Sequence, residues 1–303
     1  MRINLLTVIY NSSLSDSITL KSLLDTKLDN IELNLIIWNN GPTLLEENDI
    51  NDYLIKSRNR GIATSVYQDI RNLSLSKIYN NFIYKANYDF FVIFDQDSKI
   101  NLSFFENIYS NSQYALICPA IYPQQNEGTH QFPSDYEQKE IITPLGEFTL
   151  GNIRTINSGT AISKNLINTL NSIHHYVFDE KFAVYHTDHR FFDLIHDTPQ
   201  SAILKGICIG QMQHDMTCEL SLGELSERAR LEIAYAKMLL RMFRKQNPQK
   251  QIRRNLFYAY KMMKKDNLNF ISFLKLIKCV ITKQHPRSRM NIEKNIRPTN
   301  TNY

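Results

Sequence analysis

Asp95 and Asp97 stand one residue apart at the end of the run Tyr88-Asp89-Phe90-Phe91-Val92-Ile93-Phe94-Asp95-Gln96-Asp97-Ser98. Their side chains project to the same side if the extended backbone continues, so together they can face one cation or one sugar. Mg²⁺ commonly takes one or two carboxylates and leaves its other positions to water and substrate phosphates. A metal-bound nucleotide is the first chemistry this spacing suggests. The plainer alternative is that both aspartates solvate a strand end and open a turn, since Asp and Ser are ordinary turn residues.

The elements that would position this pair follow from the hydrophobic pattern. Phe90 to Phe94 reads as a short buried strand of a parallel sheet, and open α/β sheets bind ligands at the carboxyl ends of such strands. Strand character recurs at Ile3 to Ile9, Leu33 to Trp38, Ala115 to Cys118, Ile156 to Ile162 and Ala202 to Ile209. Helical patterns lie between several of them, at Leu14 to Leu28, Leu75 to Ala86, Phe104 to Ser112 and Lys164 to Ile173. This alternation predicts an α/β fold of βαβ units, with a mainly parallel sheet flanked by helices and right-handed crossovers. Residues 122–155, rich in Pro and Gly, read as a long surface excursion of the kind that often binds ligands. From Ser221 the pattern turns helical: Ser221-Leu222-Gly223-Glu224 has capping-box spacing, and helices are expected over 225–243, Gln251 to Lys265 and Leu268 to Lys283. The expected division is an α/β domain over 1–220 and a basic helical extension over 221–303. Residues from about Pro286 carry little apolar content and are expected to be mobile.

Composition narrows the function classes. With 303 residues, 43% of them hydrophobic, the chain can bury a substantial core. Cys118, Cys208, Cys218 and Cys279 form no Cys-x-x-Cys pair, which fits a reducing cytoplasm better than a disulfide framework or a zinc knuckle. The segment Met1 to Asn11 reads as a first strand, because its polar Asn-Ser-Ser run comes too early for a signal peptide. No apolar run approaches the roughly 20 residues of a membrane-spanning helix. Neither a Walker loop nor Gly-x-Gly-x-x-Gly occurs, which argues against a kinase or a dinucleotide enzyme. The net charge of +5 conceals a division: residues 1–222 hold 16 basic and 25 acidic side chains, and residues 223–303 hold 19 and 5. Such asymmetry marks an anionic partner for the basic part. Basic amphipathic helices suit an anionic membrane surface; alternatively their apolar faces pack on the rest of the chain and the charges are solvated. Nucleic acid is the rival anionic partner, but no recognition helix, zinc finger or RNA-binding signature accompanies the charge, so none is expected.

The order of the polar motifs is more specific than any one of them. The first two strands end in Thr7-Val8-Ile9-Tyr10-Asn11 and Ile36-Ile37-Trp38-Asn39-Asn40-Gly41-Pro42, Asn72 and Asn80 bracket the start of a helix, and Asp95-Gln96-Asp97-Ser98 follows. This order resembles family 2 glycosyltransferases with the GT-A fold, and the Asp-Gln-Asp-Ser form is similar to the bacterial rhamnosyltransferase branch. Ile156-Asn157-Ser158-Gly159-Thr160-Ala161-Ile162 resembles that family's Ser-Gly segment beside sugar and acceptor. Phe178-Asp179-Glu180, continuing to Asp188, resembles its Phe-Asp-Glu...Asp segment. The resemblance covers about residues 3–215 and departs at Asn39, usually aspartate, at Ser74, usually glycine, and at Tyr185 and Thr187, commonly acidic or apolar.

What the resemblance implies is an inverting, metal-dependent glycosyltransferase. In that branch it moves rhamnose from dTDP-rhamnose to a lipid-linked oligosaccharide during assembly of bacterial surface polysaccharide, O-antigen or capsule. The location implied is the cytoplasm or, peripherally, the inner face of the membrane. Thr7, Tyr10, Asn11, Asn39, Asn72, Asp95, Gln96 and Asp97 would bind the donor, and Ser158 and Gly159 would lie on the acceptor side. Asp97 and Asp95 would hold Mg²⁺ or Mn²⁺, with His214 as an additional ligand or simply a packed histidine. Asp188 would be the catalytic base, with Asp179 and Asp193 its nearest look-alikes; its plainer role is to stabilise a helix N-terminus. The chemistry has its own logic: the acceptor hydroxyl attacks the anomeric carbon opposite the nucleoside diphosphate, so one carboxylate must take a proton while positive charge stabilises the leaving group. Two other readings stand beside this one: a GT-A enzyme using a UDP-hexose donor, and a non-catalytic sugar-nucleotide-binding or scaffold protein.

Overall fold

Every residue of β1 (Arg2–Ile9) after Arg2 is buried, as expected of an apolar run that has helices on both sides. The computed structural model describes residues 1–85, 87–123, 131–136, 145–214, 225–244, 251–293 and 296–299. After β1 the chain runs α1 (Ile18–Leu23), β2 (Glu32–Asn39), α2 (Glu47–Asn59), β3 (Ala63–Gln68), α3 (Leu75–Ile83), β4 (Phe90–Asp95), α4 (Phe104–Ser110) and β5 (Leu116–Pro123). The short strands β6 (Ser134–Asp135), β7 (Gly146–Thr149) and β8 (Ile153–Arg154) follow, then β9 (Thr160–Ser163), α5 (Lys164–His174), α6 (Thr187–His196) and β10 (Lys205–His214). The extension contributes α7 (Glu227–Arg244), α8 (Gln251–Lys265), α9 (Phe270–Thr282) and a 3₁₀ turn, Pro286–Arg289.

The main sheet has the order β3-β2-β1-β4-β9-β5-β10-β7. β3, β2, β1 and β4 are mutually parallel, β9 runs antiparallel between β4 and β5, and β10 is parallel to β5. Strand order reverses between β1 and β4, because the chain leaves β3 on one flank and returns on the other. The carboxyl ends of those two strands therefore part around a crevice, where open α/β sheets take their ligands. Side-chain alternation divides the core into two layers. Leu6, Val8, Phe91 and Ile93 point to the face covered by Ile78 and Phe82 of α3, Leu166 and Leu170 of α5 and Phe191 of α6. Ile3, Leu5, Phe90, Val92 and Phe94 point to the face covered by Leu20 of α1, Ile50 of α2 and Phe105 of α4.

Several expectations are corrected here. The stretch 122–155 is not loop alone: β7 adds an antiparallel strand to the sheet and β6 pairs with β8. β3, a half-polar edge strand, escaped the sequence pattern. The described residues from Pro286 are docked rather than mobile: Lys77 Nζ donates to Met290 O at 2.9 Å, and Met290, Ile292 and Ile296 pack on the first core layer. The boundary at 220/221 and the capping box Ser221–Glu224 lie outside the described residues.

The extension packs on the sheet domain. Phe182, fully buried, joins Leu231, Tyr235, Met238, Leu239, Leu276 and Val280 in a third apolar cluster. A buried ion network adds to the join. Arg154 Nη2 of β8 donates to Asp193 Oδ1 at 3.1 Å, Arg244 of α7 donates to both Asp193 oxygens at 2.8 Å, and the Tyr136 hydroxyl donates to Oδ1 at 2.8 Å. Arg154 and Asp193 are 3% and 2% exposed. Removing one partner of such a pair leaves a buried charge uncompensated. Asp193→Ala should therefore cost about 3–5 kcal/mol in urea denaturation followed by circular dichroism; a change within about 0.5 kcal/mol, typical of a surface substitution, would contradict this assignment.

Candidate active site

At the carboxyl ends of β1 and β4 a cleft of about 750 Å³ opens, lined by Tyr10, Asn40, Asn72, Tyr79, Asp95, Gln96, Asp97, Asp188 and His214, among others. The acidic turn at its floor is fixed by short polar side chains. Thr19 Oγ1 of α1 donates to the carbonyl of Asp95 and accepts from Ser98 N at 2.9 Å, while Ser17 Oγ donates to Gln96 O at 2.8 Å. Tyr10 N donates to Gln96 Oε1 at 2.7 Å and Gln96 Nε2 donates back to Tyr10 O at 3.2 Å. This reciprocal pair ties the ends of β1 and β4 together. From below, Ser158 Oγ accepts from Asp95 N at 3.0 Å and lies 2.6 Å from Ser98 Oγ.

β10 brings His214 to the same place through a bridge in which Lys99 N donates to Gln213 O at 3.1 Å. His214 Nδ1 is 2.9 Å from Ser98 Oγ and 3.4 Å from Asp97 Oδ1, and its Nε2 is 3.8 Å from Asp95 Oδ2. In the tautomer that donates Nδ1–H to Ser98, Nε2 keeps its lone pair beside Asp95; metal-binding histidines usually have their second nitrogen held this way. One atom from each of Asp95, Asp97 and His214 lies within 4.8 Å of the others. Two carboxylate oxygens and an imidazole suit a hard divalent ion that keeps positions for water and phosphate, so the donor set fits Mg²⁺ or Mn²⁺. Seclusion in the cleft pushes the Asp95 carboxyl up to about 6; His214 opposes the shift, and the like charges of Asp97 and Asp188 add to it. The Asp95 side chain is 42% exposed, yet that exposure opens into the cleft, where water is fewer than in bulk.

Asp188 stands in the first turn of α6 and lines the same cleft. The N-cap of this helix, His186, has a left-handed backbone with φ 60° and gives no side-chain cap. Asp188 Oδ1 instead accepts from the adjacent His189 N at 2.7 Å. Burial raises the Asp188 pKa above the ordinary carboxylate range, against the lowering effect of His186. The buried Tyr79 hydroxyl is pushed well up, first by burial and then by the charges of Asp95 and Asp188, as expected if both carboxylates face one cleft.

His186, Asp188 and His189 form a second group close enough to hold an ion, but the local chemistry argues otherwise. Arg154 Nη1 lies 3.3 Å from His189 Nδ1, and a guanidinium can only donate. Nδ1 is then the acceptor, and Nε2 carries the proton. Burial, reinforced for His189 by Arg154 and Arg244, lowers both imidazoles to about 3. They are neutral neighbours of Asp188 beside a fixed positive charge, a poor setting for a cation.

The remaining sequence-selected residues divide in two. Tyr10, Asn72, Asp95, Gln96, Asp97, Asp188 and His214 line the cleft; Thr7, Asn11, Asn39, Ser158 and Gly159 do not. Thr7 is buried within β1, and Asn11, at φ 52°, donates its N–H to Gly41 O at 2.7 Å. Asn39 braces the turn after β2, accepting from Gly41 N at 3.0 Å and donating to Thr43 O at 2.8 Å. Ser158 and Gly159 support the acidic turn from behind: Gly159, at φ 76°, donates N–H to Ile93 O at 2.8 Å, and a Cβ there would meet Pro119 at 2.9 Å. Asp179 and Asp193 are engaged by Arg190 and by Arg154 with Arg244, leaving Asp188 as the acidic side chain of its segment that faces the cleft. Sequence reading missed Asn40, Tyr79, Arg228, Glu232 and Arg287, which also line it; only Asn40 and Tyr79 sit close to a motif that could have pointed to them.

No protein-family model matches the sequence, and no curated protein matches it. Solved structures do. The TarS fragment 1–349 from S. aureus, in complex with UDP-GlcNAc, superposes with a TM-score of 0.54 at 13% identity, over 95% of this chain and 83% of that one. The mannosyltransferase PcManGT from Pyrobaculum calidifontis, in complex with GDP-Man and Mn²⁺, gives 0.50 at 8% identity, over 94% and 76%. GalNAc-T7 with UDP, GalNAc and Mn²⁺ gives 0.51 at 12% identity, over 94% of this chain and 58% of that one. At these identities the likeness is one of architecture, and it agrees with the strand order and the two-layered core: the chain has the GT-A fold of glycosyltransferases.

Proposed function

We propose that the protein is an inverting glycosyltransferase that binds a nucleotide-sugar donor in the cleft and uses Asp188 as its base. The observation carrying this reading is the pairing, across one cleft of a GT-A fold, of the Asp95, Asp97 and His214 group with Asp188. Neighbours of the same architecture bind UDP-GlcNAc, or GDP-Man with Mn²⁺. Asp95, Asp97 and His214 would hold Mg²⁺ or Mn²⁺, which when bound supplies positive charge to the departing nucleoside diphosphate. Tyr10, Asn72 and Gln96 would hold the donor beside it. Asp188 would accept the proton of the acceptor hydroxyl, and its raised pKa makes it a better base than an ordinary aspartate. Burial, helped at His189 by Arg154, would keep both neighbouring imidazoles unprotonated so that they do not compete for that proton.

The donor favoured by the Asp-Gln-Asp-Ser turn is dTDP-rhamnose, with a UDP-hexose as the alternative, and the acceptor a lipid-linked saccharide of bacterial surface polysaccharide. The outer face of α8 and α9 supports a lipid setting. Among the described residues no helix is long and apolar enough to cross a membrane. Yet Phe257, Phe270, Ile271, Leu274 and Ile281 are each at least half exposed, Lys261 lies over the Phe257 ring, and Lys275 and Lys278 stand among the apolar positions of α9. Asp266, the one carboxylate between Gln251 and Lys283, is buried. Exposed apolar groups with cations and no exposed anion match an anionic bilayer surface.

Four outcomes are expected. Asp188→Asn should lower kcat about 10²–10⁴-fold while leaving donor affinity, measured by calorimetry, nearly unchanged; an unchanged kcat would remove Asp188 from the mechanism. Because the base works only when unprotonated, activity should fall as pH drops through the Asp188 pKa. With Mn²⁺ saturating, so that Asp95 stays ionised, the wild-type acid limb should therefore lie above the ordinary value of about 3.9 and be missing from the residual rate of Asp188→Asn. For the metal, Ser98→Ala should weaken Mn²⁺ binding about 10- to 100-fold and Asp97→Ala should weaken it further, read by electron paramagnetic resonance; binding that survives both would reject this ligand set. For the membrane, the wild type should float with phosphatidylglycerol vesicles in low salt and a Phe270→Ser, Ile271→Ser, Leu274→Ser variant should stay below; equal behaviour of the two would reject the lipid face.

A further inference from the structure

The cleft is rich in negative charge. Asp95, Asp97, Asp188 and Glu232 all line it, and among the described lining residues the arginines and lysines number two, Arg228 and Arg287. Both belong to the extension: Arg228 is on α7 and Arg287 in the 3₁₀ turn after α9. Each is joined to a residue at a strand or loop end of the sheet domain that the sequence singles out for the donor. Arg228 Nη2 donates to the Tyr10 hydroxyl at 3.5 Å, and Arg287 Nη1 donates to Asn72 Oδ1 at 2.7 Å.

Arg287 is held firmly. Its Nη2 donates to Glu232 Oε1 at 2.9 Å, and the other oxygen of Glu232 meets His285 Nε2 at 2.8 Å. His285 is itself buried and fixed by its backbone N–H, which donates to Lys181 O at 2.9 Å. The guanidinium carries five N–H donors, and these contacts use two of them. A planar, pre-ordered fork with donors to spare on the wall of a cleft is suited to phosphate oxygens. A diphosphate placed among carboxylates also needs positive charge beyond one divalent ion, because two of those carboxylates already share that ion.

We infer that Arg228 and Arg287 bind the diphosphate of the nucleotide donor, so that the extension completes the donor site instead of being an appendage to it. This rests on the nucleotide-sugar reading above. It assigns the basic extension two tasks on opposite sides: cations of α8 and α9 turned outward, and two arginines turned into the cleft.

The test is calorimetric titration of the full chain, with Mn²⁺, using UDP and dTDP and in parallel UMP and dTMP. Wild type should prefer diphosphate to monophosphate. Arg287→Gln and Arg228→Gln should each weaken diphosphate binding about 10- to 100-fold and shrink that preference, with monophosphate affinity much less affected. Arg287→Lys, which keeps the charge but not the fork, should fall between. Glu232→Gln separates a ligand from a mere structural tie, since it removes the opposing charge while its amide oxygen can still accept from Arg287 and hold the arginine in place. It should keep the diphosphate preference, whereas a preference lost in Glu232→Gln as fully as in Arg287→Gln would overturn the inference. Circular dichroism melts of each variant identify any loss that comes from unfolding. If wild type binds neither diphosphate, the donor reading and this inference fall together; if wild type binds and both glutamine variants match it, the inference alone is overturned.

Discussion

The arrangement depends on keeping several carboxylates close together in a partly secluded cleft. Asp97 and Asp188 repel the charge on Asp95, and burial disfavours the charges of Asp95 and Asp188 further. The fold tolerates this because the backbone of the acidic turn is held in place: Thr19, Ser17 and Ser158 bond the main chain of Asp95 to Ser98, and His214 lies beside both carboxylates of the turn. The raised pKa values of Asp95 and Asp188 record the cost. Strained or unfavourable local choices of this kind cluster at functional sites because the surrounding packing fixes them.

That packing comes from both parts of the chain. The sheet domain supplies the crevice through the reversal between β1 and β4. The extension supplies a wall, anchored by Phe182 in its apolar cluster and by Arg244 on Asp193. Because Asp193 lies five residues after Asp188 on α6, the same ion network that joins the parts also orients the helix carrying the candidate base.

How much of this was legible in the sequence depends on distance along the chain. β1, β2 and β4 are buried on both faces, so their apolar runs stand out, and the acidic turn follows one of them directly. β3 was missed because an edge strand reading Ala-Thr-Ser-Val-Tyr-Gln is half polar. The motif points to Asn39 and gives no sign that its neighbour Asn40 lines the cleft; the turn at Gly41 directs Asn39 inward to its own loop. Ser158 and Gly159 were assigned to the acceptor side, whereas their visible contacts lie behind the acidic turn. Arg287 is 215 positions from Asn72, and no local pattern can reveal such a contact. Its Pro-Arg-Ser-Arg surroundings read as a free tail because the scattered Met290, Ile292 and Ile296 and the polar contacts that dock it make no hydrophobic pattern.

The docking of that tail has a further result at the margin of the sheet. β3 is the outermost strand on its side, and an edge strand offers unpaired backbone groups to any other extended chain. Thr299 N donates to Val66 O at 2.7 Å, in the middle of β3, and Gln68 Nε2 reaches Thr299 Oγ1 at 3.4 Å. The last described residues thus occupy part of an edge whose backbone groups would otherwise be open to strand addition from a second molecule.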